Sequence, residues 1–340
     1  MALKWVWHNN WADVAAVPGA SESWAHHGLA VTGIDEIVGV HAGQVVRFSR
    51  DGTLSFVGKK VLSEGHQITL VRDETGVEFL WIADPGFCMS PMLDGSWGIT
   101  VHGSNDVKTL HDALSTGFAH SPRVVVTTLD GDIVQQLDTP PGVAFYAPTS
   151  VAVNEVRYGG TGDVWVADGY GSSQLHRFDA SGAHIATMDG PEDGSRFSCP
   201  HAVFIDRRKA SPELYVADRN NQRLVVFDMD GNFSRTIEGV CNSPSSFAVR
   251  GDWMLIAELN ARLAVLDVRD QLVGYVGENG DVCRVKGWPN AVDAHDRVSR
   301  SADLVDNRFH SPHGVCVDSA GNIYVAEWLI GGRYTKLVPQ

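Results

Sequence analysis

Six copies of one short frame run along this chain, and they constrain its fold more than any other feature. The clearest copy reads Pro200-His201-Ala202-Val203-Phe204-Ile205-Asp206, then, after a turn, Tyr215-Val216-Ala217-Asp218-Arg219-Asn220. The last reads Pro312-His313-Gly314-Val315-Cys316-Val317-Asp318, then Tyr324-Val325-Ala326-Glu327. The same frame fits Pro148-Thr149-Ser150 with Trp165-Val166-Ala167-Asp168, and Pro244-Ser245-Ser246 with Leu255-Ile256-Ala257-Glu258. Weaker copies begin at His27-Gly28-Leu29 and at His66-Gln67-Ile68, the latter followed by Trp81-Ile82-Ala83-Asp84. Self-similarity at such a period marks a repeat architecture.

Each unit reads as a strand, a Gly/Asp turn and a second strand ending in an acid. A third strand is visible in Leu224-Val225-Val226-Phe227-Asp228. One such sheet cannot bury both faces alone, so the units must stack, and radial stacking protects most strand edges. The frame therefore predicts an all-β, six-bladed β-propeller, one domain over residues 1–340. The chain runs out one strand short after Tyr334-Thr335-Lys336-Leu337-Val338. Lys4-Trp5-Val6-Trp7 is placed to supply the missing outer strand and close the ring. The anchors at 27, 66, 149, 201, 245 and 313 are unevenly spaced, which places insertions near 88–121 and 270–308. Long loops in compact folds are commonly functional, so both are candidate lids over the channel mouth.

Composition excludes several classes. Lys and Arg total 27 against 41 Asp and Glu, a net charge of −14, which argues against nucleic acid or an anionic membrane as partner. No apolar run reaches the ~18 residues of a membrane span, and the first residues show no secretory signal. The cysteines at 88, 199, 241, 283 and 316 form no CxxC pair, which fits a reduced, cytoplasmic protein. There is no GxSxG elbow, P-loop, dinucleotide fingerprint or HExxH.

Inner strands of a propeller converge on the axis, so the anchors form a ring: His27, His66, Thr149, His201, Ser245 and His313. Blades two, four and six carry His. Alternate places on a six-fold ring make a three-fold set, as three imidazoles facing one ion require. Three neutral His with an open fourth position describe a catalytic zinc site, and another divalent transition metal fits the same donors. His27, next to His26, reads as a structural or supporting group, and the remaining His as mostly surface residues. The acids Asp84, Asp168, Asp218, Glu258 and Glu327 recur too regularly for a unique site and read as hydrogen-bond acceptors between blades. Asp168-Gly169-Tyr170 and Asp218-Arg219 put a phenol and a guanidinium beside the ring. A cation lowers a phenol's pKa and readies it as a base, and an Arg fork suits a carboxylate.

These strings resemble NHL repeats, and their order resembles the lyase domain of peptidylglycine α-amidating enzymes. The likeness is best from Tyr146 to Ile237 and in the last blade, and rests on Asp168-Gly169-Tyr170, Pro200-His201, Val216-Ala217-Asp218-Arg219 and Pro312-His313. It implies zinc on His66, His201 and His313, with Tyr170 as catalytic base and Arg219 in the active site. The implied reaction is cleavage of a carbinolamide to an amide and an aldehyde, the metal acting as Lewis acid and template. The chain departs from that family at Gly171 and Tyr215, where cysteines are expected. It departs at Ser311, where Met is expected, and at Gly314, where Asp is expected, which puts a structural calcium site in doubt. A first-blade Arg has no match, since the first Arg is Arg47. The expectation is a zinc-dependent lyase for a small hydroxylated substrate. A metal-dependent hydrolase or hydratase and a non-catalytic NHL scaffold are the alternatives.

Overall fold

The computed structural model describes residues 4–91, 97–100, 107–108, 122–292 and 298–340. Six four-stranded antiparallel sheets are arranged as the blades of a six-bladed β-propeller. Blade one comprises Leu29–Val31, Ile37–His41, Gln44–Phe48 and Leu54–Lys60. Blade two joins Gln67–Arg72 and Glu78–Asp84 to Arg123–Thr128 and Ile133–Gln136. Blades three, four and five begin with the inner strands Ser150–Val153, Pro200–Asp206 and Pro244–Arg250. In blade six, Pro312–Val317, Ile323–Glu327 and Arg333–Pro339 are completed by Trp5–His8, with Trp5 opposite Pro339 and Trp7 opposite Leu337. The N-terminal strand closes the ring as the sequence predicts.

The second strand of each blade explains the packing. Successive side chains of a strand point to opposite faces, so a strand buried on both faces reads as a continuous apolar run. In blade four, Leu214 and Val216 face blade three, whereas Tyr215 and Ala217 face blade five. The core is accordingly divided into wedges, one between each pair of neighbouring blades, including blade six against blade one. Tyr215 fills its wedge with its hydroxyl donated to Asp270 (2.7 Å), so the position where a cysteine is expected is core packing here. At Gly171 a Cβ would lie 2.1 Å from Asp168 Oδ1 and 2.5 Å from the Phe145 oxygen, which excludes any side chain.

The insertion near 88–121 contributes the short strands Cys88–Pro91, Trp97–Thr100 and Val107–Lys108. The rest of it, and with it the reading as a lid, lies outside the described residues. The second insertion carries a 3-10 turn, Gly280–Arg284, and the small pair Ala291–Val292 and Val298–Ser299. Among the described residues no helix is long and apolar enough to cross a membrane. Cys199, Cys241, Cys283 and Cys316 are free thiols.

Candidate metal centre

The inner-strand frame delivers three imidazoles to the axis. Ring centroids lie 4.5 Å apart for His66 and His201, 4.7 Å for His66 and His313, and 5.1 Å for His201 and His313. All three side chains are fully buried. The other half of the ring supplies their acceptors. His66 donates Nδ1–H to the Thr149 carbonyl (2.6 Å), His201 to that of Ser245 (2.9 Å) and His313 to that of His27 (3.2 Å). Each even blade thus gives an imidazole and the next odd blade a backbone oxygen. A carbonyl can only accept, so each Nδ1 carries the proton and each Nε2 a lone pair.

A fourth imidazole, unforeseen in the sequence, shares the same point. The ligand atoms of His26, His66, His201 and His313 all lie within 4.8 Å of one another. His26 donates Nδ1–H to the buried carboxylate of Glu64, and Trp328 stacks on its ring at 4.8 Å. His27, the anchor, keeps only its carbonyl in the ring. Its side chain turns outward to the Gly28 oxygen (2.8 Å) and the Tyr334 hydroxyl (2.7 Å). It is structural. The signals for His26 were the His26-His27 tandem and an acid two residues before His66.

Tyr170 and Arg219 meet these rings. The Tyr170 hydroxyl is 3.1 Å from His26 Nε2, 3.2 Å from His66 Nε2 and 3.1 Å from His201 Nε2. Phe87 packs against the Tyr170 ring (centroids 6.3 Å apart) and carries Phe145 on its own ring (6.4 Å). Arg219 donates Nη1–H to the Tyr170 oxygen (3.3 Å) and Nη2–H to Ser245 Oγ (3.0 Å). Of the three buried arginines among the described residues, Arg223 and Arg333 pair with Asp218 and Glu327, while Arg219 has no acid. Burial pushes the Tyr170 pKa up, and the Arg219 charge offsets this only in part. The phenol is therefore neutral when no cation is bound.

Burial, first, and neighbouring charges hold His26, His201 and His313 well below the usual imidazole range. Burial likewise lowers His66 to about 3 against the Thr149 hydrogen bond. Four neutral rings thus aim four lone pairs at one region that holds a single phenol proton. His313 Nε2 has no partner at all among the described residues. Buried acceptors left unsatisfied are costly, and a divalent cation is what such a donor set fits.

The acids that end the second strands are structural, and they act within a blade rather than between blades. Asp218 accepts from Ser198 N (2.7 Å) and Arg223 (2.7 Å), and Asp168 from Ala147 N (2.6 Å) and Ser172 N (2.8 Å). Each ties the loop entering its own blade's inner strand. At Gly314, a Cβ would meet the His27 oxygen at 2.6 Å and Gly28 Cα at 2.9 Å. Below the rings the Gln67 amide reaches across to the Ser245 carbonyl (3.2 Å). His41, His176 and His310 are buried, not surface residues.

A cavity of about 480 Å³ opens beside the rings, lined by Tyr170, Cys199, Arg219, Leu259, Trp288 and Trp328 among others. Trp288 comes from the second insertion and donates its indole N–H to the His310 oxygen (2.9 Å).

Residues 309–328 match the NHL repeat. The chain is 30% identical to human NHL repeat-containing protein 3 over 276 residues, covering 72% of this chain and 69% of that one. It is 27% identical over 177 residues to a probable peptidyl-alpha-hydroxyglycine alpha-amidating lyase of Caenorhabditis elegans, covering 50% of this chain and 46% of that one. The fold resembles a streptogramin B lyase structure with a TM-score of 0.56 at 11% identity, over 99% of this chain and 98% of that one. Repeat, ring closure and similarity over two thirds of a relative agree: the chain belongs to the NHL repeat-containing β-propeller family.

Proposed function

We propose that this protein is a metal-dependent lyase that cleaves the C–N bond of a small carbinolamide-type substrate. The observation that carries the reading is the proton count at the axis: imidazole lone pairs converge on one phenol, beside the buried guanidinium of Arg219, which has no acid among the described residues. His66, His201 and His313 would hold the metal, with zinc the best fit to a set of buried neutral imidazoles. A bound divalent metal supplies Lewis acidity toward a substrate oxygen.

The chain's own groups account for the rest. Arg219, free of any acid among the described residues, offers its planar fork to a substrate carboxylate. It also donates to the Tyr170 oxygen, which favours the phenolate over the phenol. Tyr170 as phenolate takes the proton of the substrate hydroxyl. The C=O bond then forms as the C–N bond breaks, and the phenol returns that proton to the departing amide nitrogen. No water is consumed; the products are an amide and an aldehyde. The cavity of about 480 Å³ suits a small molecule, and Leu259, Trp288 and Trp328 give it an apolar wall. Free thiols at the described cysteines support a reducing, cytoplasmic setting.

The test is turnover of an N-acyl-α-hydroxyglycine by metal-loaded protein. Equimolar amide and glyoxylate are expected. Release of a carboxylic acid instead would identify a hydrolase, and no turnover of any carbinolamide would leave the scaffold reading.

A further inference from the structure

His26 is the one member of the cluster that the repeat frame does not explain. It stands one residue before the anchor of blade one, whereas His66, His201 and His313 are themselves anchors. Yet it meets every condition that makes those three suitable ligands. It is buried, and its Nδ1–H is taken by an acceptor, so its Nε2 carries the free lone pair. That Nε2 lies as close to the Tyr170 oxygen as does His201 Nε2, 3.1 Å in both cases. Ring centroids separate His26 from His66 by 4.6 Å and from His313 by 4.3 Å.

Its acceptor differs from the other three. They donate to neutral backbone carbonyls, and His26 donates to the Glu64 carboxylate. A carboxylate behind a ligating imidazole fixes its orientation and raises its basicity, and loss of such a partner typically costs 10–100-fold in metal affinity. Glu64 is itself placed by the chain: Asp84 accepts from the backbone N–H groups of Ser63 (3.0 Å) and Glu64 (3.1 Å). That holds the turn just before the His66 strand. Trp328 covers the other face of the His26 ring.

We infer that His26, oriented by Glu64, is a fourth protein ligand, so that the resting centre is a four-imidazole site rather than a three-imidazole site with an open position. The assignment rests on the proposed metal centre and sharpens it. Four protein ligands close a tetrahedral shell. A substrate oxygen must then either add as a fifth ligand or displace His26, the ligand that the anchor ring does not supply.

The experiment is titration of metal-stripped full-length protein with Co²⁺, followed by its visible d–d absorption and by competition with a chelator. Variants are His26→Gln, Glu64→Gln, His27→Gln as a control and His201→Gln as a reference, each checked for folding by circular dichroism. Wild type should give the intense bands of a four-coordinate site. Glu64→Gln should lose 10–100-fold in Co²⁺ affinity. His26→Gln should lose at least as much and shift the bands, while His27→Gln should keep both. Co²⁺ binding unchanged in His26→Gln and Glu64→Gln, with binding lost in His201→Gln, would overturn the four-ligand assignment and leave the lyase reading standing. Weakened binding in the first two variants without turnover by wild type would do the reverse. No Co²⁺ binding by wild type would remove both.

Discussion

At the scale of single residues, Tyr170 and Arg219 have separable consequences. Tyr170→Phe removes the hydroxyl that meets the Nε2 atoms of His26, His66 and His201 and leaves all four imidazoles in place. Turnover should fall by about 10²–10⁴, the usual contribution of a positioned proton carrier, with metal content unchanged by elemental analysis. Arg219→Lys keeps the charge but loses the fork that reaches Tyr170 and Ser245 together. Steady-state kinetics should show kcat/KM reduced about 10–100-fold for a carboxylate-bearing substrate and much less for its neutral amide. An equal loss on both substrates would remove the carboxylate role.

At the scale of elements, recurring acids do two different jobs. Asp179, Asp228, Asp267 and Asp318 each close a hairpin turn by accepting from backbone N–H groups two and four residues on. These bonds are exposed or half-buried and replaceable by water. Asp228→Ala should cost about 1 kcal/mol in denaturant unfolding. Glu327 is fully buried, accepts from His310 N and Ser311 N (3.1 Å), and pairs with Arg333. Glu327→Gln leaves the guanidinium of Arg333 uncompensated and should cost about 3–5 kcal/mol. The repeat frame located the acids that end the second strands but not their partners, and it did not single out the turn acids. Which loop folds onto Asp218 depends on the path into the inner strand, not on strand periodicity.

The whole molecule inherits a pH dependence from its buried imidazoles. His41 lies away from the axis, with Nδ1 2.8 Å from the Tyr334 hydroxyl and Nε2 3.3 Å from the Ala20 oxygen. Burial, with the nearby His27, lowers it to about 3. Between that value and about 6.5, the unfolded chain binds a proton that the folded chain does not. Stability from this group is therefore full above about 6.5 and is lost as pH falls toward 3. Chemical unfolding at pH 7 and pH 5 should show the acid loss reduced by about 2 kcal/mol in His41→Gln.

At this scale the sequence was most informative. Blade number, the wedge-like core and closure by Trp5–His8 follow from the repeated frame and from strands apolar on both faces. The frame also brought His66, His201 and His313 to one point, because equivalent positions in a closed ring must converge. His26 escaped it, since blade one begins with a three-residue strand and the frame placed His27 at the anchor. Which of two adjacent imidazoles turns inward depends on Glu64 and Tyr334, far apart in the chain.

The central claim is that the axis holds a divalent metal on the imidazoles of alternate blades. The most direct measurement is an anomalous-difference map at the zinc edge from crystals of metal-loaded protein, with elemental analysis of the same sample. One equivalent per chain and a single strong peak bonded to His66, His201 and His313 is the predicted result. A map without a peak at that point, from protein exposed to excess zinc, would contradict it.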